Sequence, residues 1–207
     1  MSANRVVFVC TGNICRSPTA EALLRHHGAD LPIAVDSCGV SREEEGNPPH
    51  PLAVAELRRR GIAPPVGRAR QVRGDDHSNA LWLVAMTCDH EKALLRARPR
   101  DAVAEIRTLA SFDPALGGVD VPDPWYAGTR AAFEEAFDLI ERGVVAMLPE
   151  LRTRLGLAAR PPHRPQPAAR RRLSLRRPGR RPRRRPPRRR QVGRRWHPGP
   201  ARDRGAD

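Results

Sequence analysis

Cys10-Thr-Gly-Asn-Ile-Cys-Arg16-Ser17 is the stretch of this chain whose residue types and spacing could do chemistry. It lies between an apolar run typical of a buried strand, Arg5 to Val9, and a helical pattern opening at Ser17-Pro18. A strand, a tight loop and a helix start make an anion site, because unpaired amides and the helix dipole both point at the loop. Gly12 and Asn13 are the residues that best tolerate the unusual backbone angles of such a cradle. Arg16 brings a planar fork matched to two oxygens of a phosphate. Cys10 sits in that positive field, which favours a thiolate, and is placed as the nucleophile; Ser17 can donate a hydroxyl hydrogen bond to its sulfur. Taken singly, a cysteine after a strand is a small buried hydrophobe and an arginine at a helix start a solvated charge. Gathered in one loop, they point to attack on a bound phosphate monoester. Cys10 and Cys15 lie five positions apart, which does not match the Cys-x-x-Cys spacing of a zinc site or a dithiol redox motif.

The elements that must position this loop alternate in type. After Arg5–Val9, a helix with Ser17 as its cap carries Ala20, Leu23, Leu24 and His27 at helical spacing and stops at Gly28. Ile33 to Ser37 reads as a second strand, and Pro51 to Arg60, closed by Gly61, as a helix with Leu52, Ala55 and Leu57 inward. Leu81 to Met86 is the strongest strand signal; Asp89 to Arg98 reads as a helix and Glu105 to Leu109 as a weaker strand. The last helix begins at Thr129, with Phe133, Ala136, Phe137, Ile140, Val144, Met147, Leu148 and Leu151 on one stripe. Pro149 should bend or end it. The pattern predicts an α/β fold, three layers with a four-stranded parallel sheet between helices and the phosphate loop between the first strand and first helix.

Charge divides the 207-residue chain in two. Residues 158–207 hold 19 Arg and ten Pro against Asp203 and Asp207, a net +17; residues 1–157 hold the remaining 19 basic and 21 acidic groups, a net −2. The first 157 residues are read as one domain. The Arg/Pro-rich segment 158–207 has too little apolar surface to offset the entropy of ordering and is read as a disordered tail. It fits an arm for nucleic acid or acidic membrane, or a solvated tail with weak, salt-sensitive polyanion binding. It also fits translation past a frameshift in GC-rich DNA, since Lys92 is the only lysine among 38 basic residues. The last two readings are preferred. No stretch of about 18 apolar residues exists, so no membrane span is expected. The N-terminus carries no signal-peptide pattern, so a cytoplasmic location with the four cysteines reduced is expected.

The run Val9-Cys-Thr-Gly-Asn-Ile-Cys-Arg-Ser-Pro18, with Ala20-Glu21 after it, resembles the signature of the low molecular weight protein-tyrosine phosphatases. Val121-Pro-Asp-Pro124, followed by Trp125 and Tyr126, matches that family's general-acid loop; Ser37-Cys38-Gly39, Ala69-Arg70-Gln71 and Ser111-Phe-Asp-Pro114 are weaker matches. The resemblance covers roughly residues 5 to 155. It implies that Cys10 attacks phosphorus to form a phosphocysteine, and that Asp123 protonates the leaving phenolate and then serves as base toward water. The amides of Thr11, Gly12, Asn13, Ile14, Cys15, Arg16 and Ser17, together with the Arg16 fork, hold the phosphate oxygens. Asn13 holds the loop's shape, and Cys15 can form a reversible disulfide with Cys10. No metal and no cofactor are implied, because the cradle supplies the positive charge. The implied substrate is a tyrosine-phosphorylated protein or a small aryl phosphate.

The chain departs from that family at two places. Relatives carry an aromatic residue and then a histidine a few positions after the segment matching Ser37-Cys38-Gly39; here Glu43 takes the aromatic position and Glu43, Glu44 and Glu45 line that side. Trp125 and Tyr126 remain as the other wall of the substrate cleft. Relatives also carry aspartate at the position of Thr87, and Cys88 beside it brings in the thioredoxin-coupled arsenate reductases as an alternative. Those enzymes need two further cysteines close in sequence, whereas Cys38 and Cys88 are far apart, and a buried structural role is the expectation for both. A third possibility is a catalytically weak anion-binding domain whose basic tail binds polyanions.

Overall fold

A computed structural model of the chain describes residues 4–158. Four strands, β1 (Arg5–Cys10), β2 (Ala34–Gly39), β3 (Trp82–Ala85) and β4 (Glu105–Thr108), form one all-parallel sheet in the order β2-β1-β3-β4. Six helices accompany them: α1 (Arg16–His27), α2 (Pro51–Arg59), α3 (Gly74–Asn79), α4 (Cys88–Arg96), α5 (Pro124–Ala127) and α6 (Arg130–Arg154). Parallel strands need long crossovers, and helices supply them while covering the faces.

Both faces of β1 are therefore apolar. Val6 and Phe8, with Trp82 and Val84, pack under Leu23 and Leu24 of α1 and Phe137, Ile140, Val144 and Met147 of α6. Val7 and Val9, with Leu83 and Ala85, meet Leu94 of α4 on the other face. This is the expected three-layer α/β arrangement. The chain runs from β1 to β2 on one side and returns to β3 on the other, so the carboxyl end of β1 lies at the switch point where α/β sheets open a ligand crevice.

Several local expectations are corrected. The first helix starts one residue before Ser17, with Cys15 in the cap position and no side-chain cap bond; the Ser17 hydroxyl points into the phosphate loop instead. In α2 the buried positions are Ala53, Glu56 and Leu57, whereas Ala55 is exposed. The last helix does not end at Pro149 but continues to Arg154. The ring lies on the solvent side, where the carbonyl it deprives of a partner can be hydrated. The short helices α3 and α5 were not expected from the sequence. Helix α3 lacks an apolar stripe, and its reason for forming is Asp76, whose carboxylate accepts from the Arg73 amide at its start. Residues 159–207, nearly all of the expected tail, lie outside the described residues. Among those described, no helix is long and apolar enough to cross a membrane.

Candidate active site

The loop from Cys10 to Arg16 turns around the Cys10 sulfur. Sγ receives the Asn13 amide at 3.3 Å and lies 3.0 Å from Ser17 Oγ. The turn needs one left-handed residue, and it is Asn13, at φ +59°. Gly12 was expected to share that role but does not have a positive φ; it is needed for space, since a Cβ there would stand 2.8 Å from Glu44 Cγ. Asn13 then bonds outward on three sides. Its Nδ2 donates to Ser17 Oγ at 3.0 Å and Ser37 Oγ at 2.9 Å, and its Oδ1 accepts the Arg70 amide at 3.0 Å. The Ser37 hydroxyl in turn donates a hydrogen bond to Glu21 Oε2 at 2.6 Å. Burial pushes the Glu21 carboxyl above its usual range despite that bond.

Two of the weaker motif matches, Ser37-Cys38-Gly39 and Ala69-Arg70-Gln71, clamp the loop from outside. Gly39 lies so close that a Cβ would meet the Thr11 carbonyl oxygen at 2.4 Å, a contact with backbone that cannot yield. Its amide donates to the Arg70 carbonyl, and Gln71 bridges to it. The Arg70 side chain pairs with Asp36 at 2.9 Å and Asp76 at 2.8 Å, and Arg5 joins the same two carboxylates. Burial alone would raise both carboxylates, but the guanidinium hydrogen bonds and charges outweigh it and hold them below the usual range.

Arg16 opens α1 and is only 5 % exposed. Its Nη1 donates to the Val121 carbonyl at 3.2 Å; its Nη2 donates to Thr11 Oγ1 at 3.2 Å and to Asp123 Oδ2 at 2.5 Å. The buried Nε has no hydrogen-bond partner among the described residues. Asp123 caps α5 by accepting the Trp125 amide at 3.2 Å, with Pro124 fixing the first turn. The residues read from the sequence as one site do meet. A single pocket is lined by Cys10, Thr11, Gly12, Ile14, Cys15, Arg16, Asp123, Trp125 and Tyr126, while Asn13 and Ser17 stand behind the sulfur. Trp125 and Tyr126 pack edge to face at 5.3 Å and remain 51 % and 81 % exposed, so their rings are not loop packing.

Other parts of the expectation change. Glu43 and Glu44 line the pocket, but Glu45 turns aside to pair with Arg42 at 3.1 Å. Cys38 is fully buried as expected, whereas Cys88 is exposed at the first turn of α4. Burial above all, with the Cys10 charge second, pushes the Cys15 thiol up to about 12, so it stays protonated beside Cys10.

The sequence reading missed His90. It is 6 % exposed, with Nε2 2.9 Å from Thr11 Oγ1 and Nδ1 2.9 Å from Thr87 Oγ1. The available signal was Thr87 followed three residues later by a polar side chain, the spacing of a reciprocal helix cap.

A strand-to-helix cradle with a thiol at its centre and a buried guanidinium lining the same pocket has the shape and donors to suit a tetrahedral anion in an α/β domain. The model for the low molecular weight phosphotyrosine protein phosphatase family matches residues 5–156, and the chain belongs to that family and is a phosphatase. Over 156 residues it is 40 % identical to a low molecular weight protein-tyrosine-phosphatase of Streptomyces coelicolor, covering 72 % of this chain and 93 % of that one. It is 44 % identical over 142 residues to low molecular weight protein-tyrosine phosphatase A of Mycobacterium tuberculosis, covering 66 % and 84 %. The crystal structure of YfkJ from Bacillus subtilis matches with TM-score 0.68 and 35 % identity over 74 % of this chain and 98 % of that one.

Proposed function

We propose that this phosphatase acts on phosphotyrosine in proteins, and on small aryl phosphates, through a phosphocysteine at Cys10. The observation that carries the reading is the Arg16 guanidinium, buried beside the sulfur with an unused Nε donor and one nitrogen on Asp123. An incoming phosphate monoester monoanion competes with Asp123 for that guanidinium, and the freed carboxylate takes up the monoanion's proton and holds it for the leaving oxygen. The Cys10 thiolate then attacks phosphorus in line, and the phosphorus–oxygen ester bond breaks as Asp123 delivers its proton to the phenolate. In the second step Asp123 takes a proton from water, whose oxygen attacks the phosphocysteine and returns the thiolate and inorganic phosphate. Loop amides and Arg16 balance the charge on the three equatorial oxygens throughout. The Ser17 hydroxyl, which reaches both Cys10 Sγ and the Cys38 carbonyl, turns to the sulfur when it carries charge.

The exposed rings of Trp125 and Tyr126 offer an aryl substrate a stacking surface. A redox relay of the arsenate-reductase kind has less support, because Cys38 is fully buried. Steady-state hydrolysis of para-nitrophenyl phosphate without metal tests the reading. Turnover by wild type with none by Cys10→Ser is the expected result, with Asp123→Asn losing about 10²-fold or more on poor leaving groups. An inactive wild type that is reduced and folded would reject it.

A further inference from the structure

The junction between β3 and α4, residues 86–90, holds Arg16 from two directions. On one side the Met86 carbonyl accepts the Val121 amide at 3.0 Å, and the Val121 carbonyl accepts Arg16 Nη1 at 3.2 Å. The Cys88 amide secures the same loop through Asp120 Oδ1 at 2.7 Å. On the other side a chain of three side chains runs from Thr87 through His90 to Thr11, and Thr11 Oγ1 accepts Arg16 Nη2.

The proton count along that chain is restrictive. A guanidinium only donates, so one lone pair of Thr11 Oγ1 is committed to Arg16. Thr87 Oγ1 likewise accepts the His90 amide at 3.2 Å, which closes the α4 cap. A neutral imidazole completes both ends. If Nε2 carries the proton, it donates to the second lone pair of Thr11 and leaves the Thr11 hydroxyl hydrogen free for the pocket that Thr11 lines. If Nδ1 carries it, the Thr11 hydrogen turns back onto Nε2. Burial first, and the Arg16 charge second, push the His90 pKa down to about 4, while Asp123, Asp120 and Asp89 pull weakly the other way. The ring is therefore neutral at pH 7.

We propose that His90 is a positioning residue for phosphate binding, fixing Thr11 Oγ1 and through it the orientation of the Arg16 fork. The proposal rests on the role given to Arg16 above, and the two fail in different experiments. Loss of all activity in wild type would reject the phosphatase reading, whereas an active wild type with an indifferent His90 would reject this one.

The test compares His90→Phe, His90→Gln, Thr11→Val and the double variant His90→Phe/Thr11→Val in the full chain. His90→Phe keeps ring volume but cannot bond Thr11; it should lose about 10-fold in kcat/KM on para-nitrophenyl phosphate and weaken inhibition by inorganic phosphate by a similar factor. His90→Gln can still reach Thr11 and should recover most of both. In the Thr11→Val background His90→Phe should cost little further, because the partner is already gone. Equal losses in both backgrounds, or phosphate inhibition unchanged by His90→Phe, would overturn the proposal. A measurement on the wild type needs no variant. The ring nitrogens of His90, followed by ¹⁵N NMR, should report a neutral imidazole from about pH 5 to 8. They should also shift with added inorganic phosphate at the midpoint seen in inhibition. Absence of that shift would overturn the proposal even if His90→Phe failed to fold.

Discussion

The phosphate loop and the rim above it are built by opposite means. Around Cys10 nearly every polar atom is buried and bonded: Asn13 reaches Ser17, Ser37 and Arg70, and Arg16 reaches Thr11, Val121 and Asp123. At the rim Tyr126 is 81 % exposed, and among the described residues Glu43 has no ion pair. A buried network leaves little tolerance, because each unpaired group costs its full desolvation. An exposed wall can change one side chain at small cost. The proposed mechanism therefore assigns the type of reaction to the depth of the pocket and the choice of substrate to its rim.

Arg16→Lys should be the most damaging change that keeps the charge. Lysine cannot reproduce a fork that serves Val121, Thr11 and Asp123 together, and a loss of about 10³-fold in kcat/KM on para-nitrophenyl phosphate is expected. A loss under tenfold would show that the network tolerates a point charge.

Acid should strike the buried region next. His90 takes up its proton near its ordinary 6.5 in the unfolded chain but only at about 4 in the folded one. The unfolded chain gains the proton first as pH falls, so stability is intact above pH 6.5 and falls toward pH 4, by roughly 3 kcal/mol. Urea unfolding should show this slope flattened in His90→Gln; an unchanged slope would assign it to other groups.

Effects at the rim should be smaller. Tyr126→Ala should raise KM for a phosphotyrosyl peptide about 3- to 10-fold and leave kcat nearly unchanged. Joint replacement Glu43→Gln and Glu44→Gln should shift the preference from basic-flanked toward acidic-flanked phosphopeptides by a few fold, and added salt should erase the shift. If the preference does not move, the acidic wall is only a solvated edge. Truncation to residues 1–157 should change none of these constants; a fall in phosphatase activity would give the Arg/Pro-rich segment a part in catalysis.

Much of the fold was legible because β1 and β3 are continuous apolar runs and α6 carries one stripe. The phosphate loop was legible because its residue types are rare in combination and adjacent in sequence. What was not legible depends on contacts distant in sequence. His90 acts on Thr11 across 79 positions, and Gly39 matters because β2 ends against the Thr11 carbonyl. Gly12 was singled out for a backbone angle when its reason is the neighbouring Glu44 side chain, a distinction composition cannot make. Cys88 was expected to be buried, but the first turn of α4 presents it to solvent.

In the proposed mechanism every phosphate passes through the Cys10 sulfur. Wild-type enzyme turning over para-nitrophenyl phosphate should be denatured rapidly and its peptides analysed by mass spectrometry. Phosphate should be found on Cys10, accumulating further in a variant slowed in the second step such as Asp123→Asn. Steady turnover with no phosphate on Cys10, or with phosphate on another residue, would contradict it.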